Sequence, residues 1–544
     1  MKLRYNNAMH TPGLKWTPTS RFWLFFLITL LILGLAGGLL LTAFKPQEAW
    51  FSSHFVEIDL TPETPPTQSW AYYGPAVAEV APTAMPTPIP PTATPMPFIP
   101  NAYIDSDVTF IYNAQWGDTI KAVARHFDAN PEDIDSPDPL QEPGLINPGQ
   151  LLIIPNPFGN IPPAQLLMPD SEVVYSASAA DFDVKAFISN AGGYLSKYAE
   201  WNGRLGWLSG AEIVELRAQE NSINPRLLLA LIEYQSGWVY REPGGLVHNN
   251  YPLGNANDER TELGQQLKWA IDMLLTGYYG WRDGSVLEVH MADGYVLRMA
   301  PGLNAGTAAL QYFFGQAYNY ENWSQALNPT LGFPALYERM FGDPWQRAAQ
   351  VEPLYTPSLA QPELTLPFER DVIWSFSGGP HGAWDQAGTW GALDFAPNSK
   401  FPGCVPSDEW ILASAPGLVI RSDRNTVVID LDGDGMEQTG WNIIYLHVIN
   451  DNPIPPGTIV KRDDKLGYPS CEGGIATGTH VHMVRKYNGE WIAADGPFPF
   501  VMGGWQAYAG GQPYDGHLAR DGKIVLANLN AYTETFIVRT QDDP

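Results

Sequence analysis

Two histidines, His480 and His482, lie two positions apart in TGTHVHMV, a segment that reads as a β-strand. Side chains along a strand return to the same face at every second residue, so both imidazoles should point the same way. Two imidazoles on one face can both bind a metal ion, or one can bind while the other transfers protons. The first chemistry that the sequence predicts is therefore metal-assisted.

Further metal ligands stand earlier in the chain. His381 lies in the glycine-rich segment GGPHGAW, and Asp394 lies in the apolar run WGALDFAP, where a lone carboxylate is costly unless it is paired or bound to a metal. A catalytic zinc site usually has three protein ligands and one open position. Because the chain has only two cysteines, any metal must be held mainly by histidines and carboxylates.

The motifs SGGPHGAW, ALDFA, YLH and TGTHVH follow one another in this order over about residues 364–510. This order resembles the lysostaphin and beta-lytic family of zinc metallopeptidases. The resemblance implies one Zn²⁺ cofactor and a largely antiparallel β fold. It also implies that His381, Asp394 and His482 are the zinc ligands and that His480 and His447 are the catalytic or transition-state-stabilising pair.

Asp430, Asp432 and Asp434 form a DxDxDG pattern that resembles the start of a calcium-binding loop. The twelfth position of such a loop carries an acid, whereas this chain has Trp441 there. A hairpin turn between two strands is therefore the preferred interpretation.

The chain has 544 residues, with 58 acidic and 31 basic side chains and a net charge of −27. Its length predicts several folded units. It contains no basic tract, so the electrostatic basis of nucleic-acid binding is missing.

An uncharged apolar run of 23 residues, 22–44, is long enough to cross a membrane as a helix. Residues 1–21 carry four basic side chains and no acid, which predicts a cytoplasmic N-terminus. We expect a single-pass protein of the cell membrane whose C-terminal domains are extracytoplasmic. A cleaved signal peptide is the alternative interpretation.

Residues 45–106 are rich in proline and threonine, a composition typical of a semi-rigid linker. In an extracytoplasmic compartment a disulfide between Cys404 and Cys471 is expected, with free thiols as the alternative.

Residues 107–156 read as strand, helix, helix, strand, and GDT, IKAVARHF and NPGQLLIIP resemble the lysin motif (LysM) in the same order. The resemblance implies binding to glycans that contain N-acetylglucosamine, such as peptidoglycan. A module that folds without binding is the alternative. The implied sugar contacts are Gly117, Asp118, Thr119, Ile120, Asn147 and Pro148.

Residues 177–350 have the 3.6-residue apolar periodicity of packed helices and are expected to form an all-helical domain. The segment NSINPRLLLALIEYQSGWV faintly resembles lysozyme-like transglycosylases, but Gln235 occupies the position of their catalytic glutamate. An amide cannot deliver the proton that glycosidic cleavage needs, and Glu233 lies on a different helix face. A structural or glycan-positioning role is expected for this domain.

Residues 364–540 should form the metallopeptidase domain, with a β-rich C-terminal extension. The whole chain is thus predicted to be a multidomain α and β protein. Its predicted function is that of a membrane-anchored peptidoglycan hydrolase, a zinc-dependent endopeptidase of cell-wall peptides. A non-catalytic peptidoglycan-binding scaffold or regulator of other wall hydrolases is the alternative.

Overall fold

The computed structural model describes residues 109–140, 144–155, 158, 164–256, 261–356, 358–385, 387–399, 403–530 and 532–543. The predicted cytoplasmic tail, membrane helix and linker all lie outside these residues, so they stay predictions. Within the described ranges, no helix is both long enough and apolar enough to cross a membrane.

The first module contains two antiparallel strands, β1 (Thr109–Asn113) and β2 (Leu151–Pro155), with helix α1 (Ile120–Phe127) between them. Thr119 begins the helix, because its side chain accepts a hydrogen bond from a backbone N–H of the first turn. The predicted second helix is only a single 3₁₀ turn, Pro131–Asp133. The element order is compatible with the LysM interpretation, which itself remains a prediction.

The middle segment is mostly helical. Its helices are α2 (Val184–Ala191), α3 (Gly210–Asn221), α4 (Pro225–Ser236), α5 (Leu246–Asn250), α6 (Leu263–Asp283), α7 (Ala305–Ala317), α8 (Tyr320–Ala326), α9 (Phe333–Phe341) and α10 (Pro344–Ala348). Nine consecutive residues of α4, 225–233, are buried, so this helix lies inside the bundle.

The prediction of an all-helical segment is wrong in two places. Strand β3 (Ala199–Asn202) pairs with β4 (Gly206–Ser209), and β5 (Glu288–His290) pairs with β6 (Val296–Arg298). Gly294, with φ +83°, lies in the turn that joins β5 to β6, a conformation that glycine adopts without steric cost. These short hairpins were hidden because their strands have only three or four residues each.

The C-terminal part is a β structure. Its strands are β7 (Ile373–His381), β8 (Ala392–Pro397), β9 (Ile411–Leu412), β10 (Gly417–Asp423), β11 (Thr426–Asp430), β12 (Trp441–Leu446), β13 (Val448–Ile449), β14 (Ile459–Val460), β15 (Lys465–Pro469), β16 (Val481–Tyr487), β17 (Glu490–Trp491), β18 (Val501–Met502), β19 (Trp505–Ala509), β20 (Gly516–Arg520), β21 (Lys523–Leu526) and β22 (Phe536–Val538).

Nine of these strands form one antiparallel sheet in the order β14, β10, β11, β12, β16, β8, β7, β22, with β17 paired to β16. The expectation of a mainly antiparallel β fold at the C-terminus is therefore confirmed. The C-terminal extension adds the four-stranded sheet β18 to β21. Its last strand, β22, extends the main sheet beside β7, so the extension is part of the same fold.

Both faces of the main sheet are buried. Val427 and Ile429 of β11 point into the core of the β domain, whereas Val428 and Ile444 point into a core shared with the helical segment. The described residues, from 109 onward, accordingly belong to one compact unit. A sheet covered on both faces explains why its central strands are continuous apolar runs rather than alternating ones.

Candidate metal centre

The pairing of β8 with β16 brings the first two predicted ligands together. His482 stands directly opposite Asp394 in the antiparallel register, and opposite residues project from the same face. The Oδ1 atom of Asp394 lies 3.2 Å from Nδ1 of His482. Both side chains are buried.

His381, the last residue of β7, completes the cluster. Its Nε2 atom lies 3.1 Å from Nδ1 of His482 and 3.4 Å from Oδ1 of Asp394. The close approach depends on Gly378, because a Cβ atom there would lie 2.6 Å from Oδ2 of Asp394. The imidazole of His381 also stacks on Tyr514, with ring centroids 4.1 Å apart.

The outer nitrogen of each ligand histidine faces a backbone carbonyl. Nδ1 of His381 lies 2.7 Å from the Gly379 oxygen, and Nε2 of His482 lies 3.0 Å from the Ala383 oxygen. A carbonyl only accepts hydrogen bonds, so each of these outer nitrogens carries the proton. In the neutral imidazoles, the two inner nitrogens therefore present lone pairs to each other.

These atoms fit a zinc ion. Oδ1 of Asp394 is buried and has no hydrogen-bond partner, and it faces the two inner nitrogens. With ligand bonds of 2.0–2.1 Å, tetrahedral zinc sets its ligand atoms roughly 3.3 Å apart, and the observed distances are 3.1, 3.2 and 3.4 Å. Three converging lone pairs require a cation, either a metal or a proton on His381.

The electrostatics agree with that requirement. Burial alone would raise the pKa of Asp394, but His381 and His480 lower it well below its usual value. Burial disfavours the charged form of His381, yet the adjacent Asp394 raises the pKa of that imidazole. Burial lowers the pKa of His482. An ionised Asp394 and a neutral His482 are the protonation states that metal binding needs.

His447 and His480 lie beside this cluster, with ring centroids 4.4 Å apart. His447 stands between β12 and β13 with φ +67°, and its Nδ1 faces the Glu472 carbonyl at 2.8 Å. Burial, followed by the nearby His480 and His482, lowers the pKa of His447 to about 3. Nδ1 of His480 faces the Gly478 carbonyl at 2.7 Å.

His480 precedes β16 and points toward the cluster. Its Nε2 atom lies 3.8 Å from Oδ1 of Asp394, compared with 3.2 Å for Nδ1 of His482. The structure thus brings all five predicted residues of the metallopeptidase site together.

Cys404 and Cys471 are joined by a disulfide bond. Glu472, the next residue, supplies the carbonyl that faces His447. The N–H of Thr479 donates to the Gly403 carbonyl at 3.1 Å, just before His480. The disulfide therefore links the loops that support His447 and His480, the two histidines beside the cluster.

The predicted sugar contacts are only partly accessible. The first and last loops of the module do meet, because the N–H of Ile146 donates to the Asp118 carbonyl at 2.9 Å. Gly117 is buried, however, and a Cβ atom there would lie 1.6 Å from the guanidinium of Arg282. Ile120 is also buried, whereas Asn147 and Pro148 are exposed.

The side chains of Asp118 and Thr119 stabilise the first module through hydrogen bonds within it. The Asp118 carboxylate accepts hydrogen bonds from the Tyr112 hydroxyl and the Gln115 N–H, at 2.8 and 2.7 Å. Burial raises the pKa of Asp118 to about 6. Thr119 caps α1. Direct glycan contact is therefore sterically open at Asn147 and Pro148 rather than at Gly117.

The helical segment presents no glycosidase acid at the position of Gln235. The Tyr318 hydroxyl donates a 2.6 Å hydrogen bond to the Gln235 side-chain oxygen. The buried Glu233 carboxylate accepts hydrogen bonds from the N–H groups of Val239 and Tyr240 and pairs with Arg241. Glu233 thus stabilises the end of α4.

Tyr514 and Ala383 were missed by the sequence analysis. The double glycine at 378 and 379 was a usable signal, because adjacent glycines before a candidate ligand indicate close backbone approach. The backbone carbonyl of Ala383 carries no sequence signal, and Tyr514 lies 120 residues from Asp394, in the loop between β19 and β20.

The antiparallel sheet carries a His, Asp, His cluster with two further histidines, a set of donors that could hold a metal ion. Protease LasA from Pseudomonas aeruginosa strain UCBPP-PA14 is 25% identical to this chain over 379 residues, which is 66% of this chain and 82% of the relative. The beta-lytic metalloendopeptidase of Achromobacter lyticus is 26% identical over 164 residues, which is 29% of this chain and 41% of that protein. The chain is thus similar to a protease and to a metalloendopeptidase.

Residues 166–355 match the family model described as LasA, N-terminal domain. That match spans the whole predicted helical segment, 177–350. Among solved structures, the M23 metalloprotease pseudoalterin, described as from the deep sea, is 22% identical, with a TM-score of 0.26, and the match covers 31% of this chain and 96% of pseudoalterin.

Proposed function

We propose that this protein is a zinc-dependent endopeptidase that cleaves cell-wall peptides outside the cytoplasm. The observation that carries the proposal is the convergence of His381, Asp394 and His482 on a point where a cation is required. Two more histidines adjoin this cluster. The relatives of the chain include a protease and a metalloendopeptidase. In a scaffold that binds no metal, the buried Asp394 carboxylate would depend on a proton on His381 for compensation of its charge.

Zinc, when bound, supplies Lewis acidity toward the scissile carbonyl and lowers the pKa of water to about 7. The chain supplies the proton transfers. Nδ1 of both His447 and His480 faces a carbonyl, so the neutral rings hold their protons there and keep Nε2 as a proton acceptor.

His447 is neutral at physiological pH, because its pKa is about 3. His480 lies nearer the cluster and is the better placed of the two to accept a proton from water. His480, once it has accepted that proton, can then donate it to the departing amine. The ionised Asp394 on β8 lies between the two ligand histidines, His381 on β7 and His482 on β16, and holds both in place.

Cell-wall peptides as the substrate, and glycan binding by residues 107–156, rest on the sequence resemblances to the lysostaphin and beta-lytic family and to the lysin motif. Anchoring through residues 22–44 belongs to the same proposal. An anchor and a wall-binding module would hold the enzyme between membrane and wall, where its substrate lies.

The decisive experiment digests purified peptidoglycan with the full-length protein in detergent, with and without a zinc chelator, and identifies new amino termini by mass spectrometry. One zinc per chain and chelator-sensitive termini are expected, and His482→Ala should give neither. Zinc-replete protein that binds peptidoglycan but releases no termini would favour the non-catalytic scaffold.

A further inference from the structure

The loop between β11 and β12 carries three aspartates whose carboxylates converge. One oxygen atom from each of Asp430, Asp432 and Asp434 lies within 4.8 Å of the others. This cluster is separate from the histidine site: Asp430 pairs with Asn442, and Asn442 lies four residues before Leu446, the partner of His482. Four residues of strand span roughly 13 Å.

Positive charge is missing from this cluster. Two basic residues lie on the neighbouring strands, Arg421 opposite Val428 and Lys486 opposite Asn442, and both pair with Glu437. Among the ion pairs of the described residues, none includes Asp430, Asp432 or Asp434. Burial and the neighbouring carboxylates raise the pKa of Asp432 to about 6, which reflects the same uncompensated charge.

Asn442 provides an independent sign of a ligand. It is fully buried and stands directly opposite Asp430, so both side chains project from the same face of the sheet. Its side-chain N–H group donates to the Thr439 carbonyl at 2.9 Å, and the Thr439 hydroxyl donates to Asp434 at 2.6 Å. Its Oδ1 atom has no hydrogen-bond partner.

A buried amide oxygen without a donor costs about 1–3 kcal/mol. Reversing the amide does not remove that cost, because the oxygen would then face the Thr439 carbonyl and lose the existing hydrogen bond. A cation bound among the aspartates removes the cost at Asn442 and the repulsion between carboxylates together.

We propose that Asp430, Asp432, Asp434 and the Asn442 amide oxygen bind a calcium ion. The donors are all hard oxygen atoms, and calcium accepts six to eight of them, including backbone carbonyls and water. The N–H groups of Asp432 and Gly433 both donate to Oδ1 of Asp430 at 3.1 Å, and the Gly435 N–H donates to Oδ2 at 2.8 Å, so Oδ2 keeps a lone pair for the cation. The segment is therefore both the predicted hairpin and a cation-binding loop. Trp441 occupies its twelfth position, where a calcium loop usually has an acid, and the next residue, Asn442, supplies an oxygen ligand.

Calcium here would stabilise the junction between the β domain and the segment before it. The Gly440 N–H donates to the Asn488 side-chain oxygen at 2.8 Å, and the Asn488 amide donates to the Leu354 carbonyl at 2.7 Å. Leu354 is buried in the core that the helical segment shares with the sheet. A calcium ion that holds the loop in place would thus also stabilise the hydrogen bonds that run from Gly440 through Asn488 to Leu354 across that junction.

The test uses the full-length protein, freed of metal, reloaded with zinc and then titrated with CaCl₂. Equilibrium dialysis should find one calcium per chain, and the Tm should rise with calcium but not with equal MgCl₂. Asp432→Asn should weaken calcium binding at least about tenfold, since even outer partners of a metal site are worth 10–100-fold. Asp451→Asn, at another exposed aspartate, is the control and should leave binding unchanged.

Asn442→Asp gives a test of opposite sign. A fourth carboxylate should lower the Tm of the calcium-free protein and tighten calcium binding, so that the Tm gain from calcium grows. No bound calcium in the unaltered protein, an equal effect of MgCl₂, or undiminished binding by Asp432→Asn would overturn the proposal. Zinc content is measured separately, so the outcome does not depend on peptidase activity.

Discussion

Asp394 and His482 occupy opposite positions of two neighbouring antiparallel strands, and this register alone sets their ligand atoms 3.2 Å apart. A slip of one residue would turn one side chain to the other face of the sheet. The metal centre is therefore built from the sheet, and only His381, at the end of β7, depends on a strand terminus. A rigid support of this kind keeps ligands in place before metal binds.

The division of labour among the histidines is testable by substitution. His482→Ala should lose both zinc and turnover, because it removes a ligand nitrogen. His480→Ala should keep zinc and lose turnover, because it removes only a proton acceptor beside the cluster. Metal analysis and peptide release measure the two effects, with His517→Ala, at a histidine stacked on Tyr508, as the control. Equal zinc loss in the His480 and His482 variants would refute the assignment.

Much of this site could be predicted from the sequence because its signals are local. The spacing of His480 and His482 and the burial of Asp394 in an apolar run each follow from a single segment. The stacking of Tyr514 on His381 and the contact of the Ala383 carbonyl with His482 arise only from tertiary packing, so no sequence pattern predicts them. The short hairpins of the helical segment were not predicted, because strands of three or four residues are too short to show a clear alternation of apolar and polar residues.

Gly378 offers a way to disturb the cluster without altering a ligand. A methyl group at this position would lie 2.6 Å from Oδ2 of Asp394 and must displace the carboxylate. Gly378→Ala should therefore weaken zinc binding by about tenfold or more, the scale of lost supporting contacts in metal sites. Competition with a chromophoric chelator measures the affinity. Gly511→Ala, which meets no atom within 4 Å, is the matched control, and equal affinity in both variants would contradict the expectation.

His126 should make stability depend on pH. It is buried in α1, stacks on Trp281 with centroids 3.8 Å apart, and its Nε2 faces the Trp281 carbonyl at 2.9 Å. Burial lowers the pKa of His126 to about 4. The unfolded chain, with a pKa of about 6.5, binds the proton first as the pH falls, so the free energy of unfolding should decrease between about pH 6.5 and 4, by up to about 3 kcal/mol.

Urea unfolding of the metal-free protein at pH 7, 6 and 5 measures this slope. Removing metal keeps zinc release from the ligand histidines out of the comparison. His126→Gln should make the pH dependence shallower, because only the other buried histidines, such as His447, then contribute to it. His290→Gln, at an exposed histidine, should preserve the full slope. An unchanged slope in the His126 variant would place the titrating group elsewhere.

Arg282 ties the three folded parts together. Its guanidinium donates to the Trp116 carbonyl of the first module at 2.8 Å and pairs with Asp170 and with Glu490 of β17, at 3.0 and 2.8 Å. Arg282→Met should cost about 3–5 kcal/mol, because it leaves buried carboxylates without a cation. Urea unfolding measures the loss. Arg241→Met, which breaks the pair of a largely exposed arginine with Glu233, should cost clearly less, and equal costs would argue against the role of Arg282.

The disulfide should matter for turnover as well as for stability. Cys404 and Cys471 lie 67 residues apart, and closing such a loop is worth about 4 kcal/mol in the chain-entropy treatment. Glu472, next to Cys471, supplies the carbonyl that keeps the proton of His447 on Nδ1 and so leaves Nε2 as a base. A Cys404→Ser, Cys471→Ser variant should therefore lose turnover while it retains zinc, because the ligands stand on β7, β8 and β16 rather than on this loop. Loss of zinc and turnover in parallel would show instead that the loop supports the metal ligands themselves.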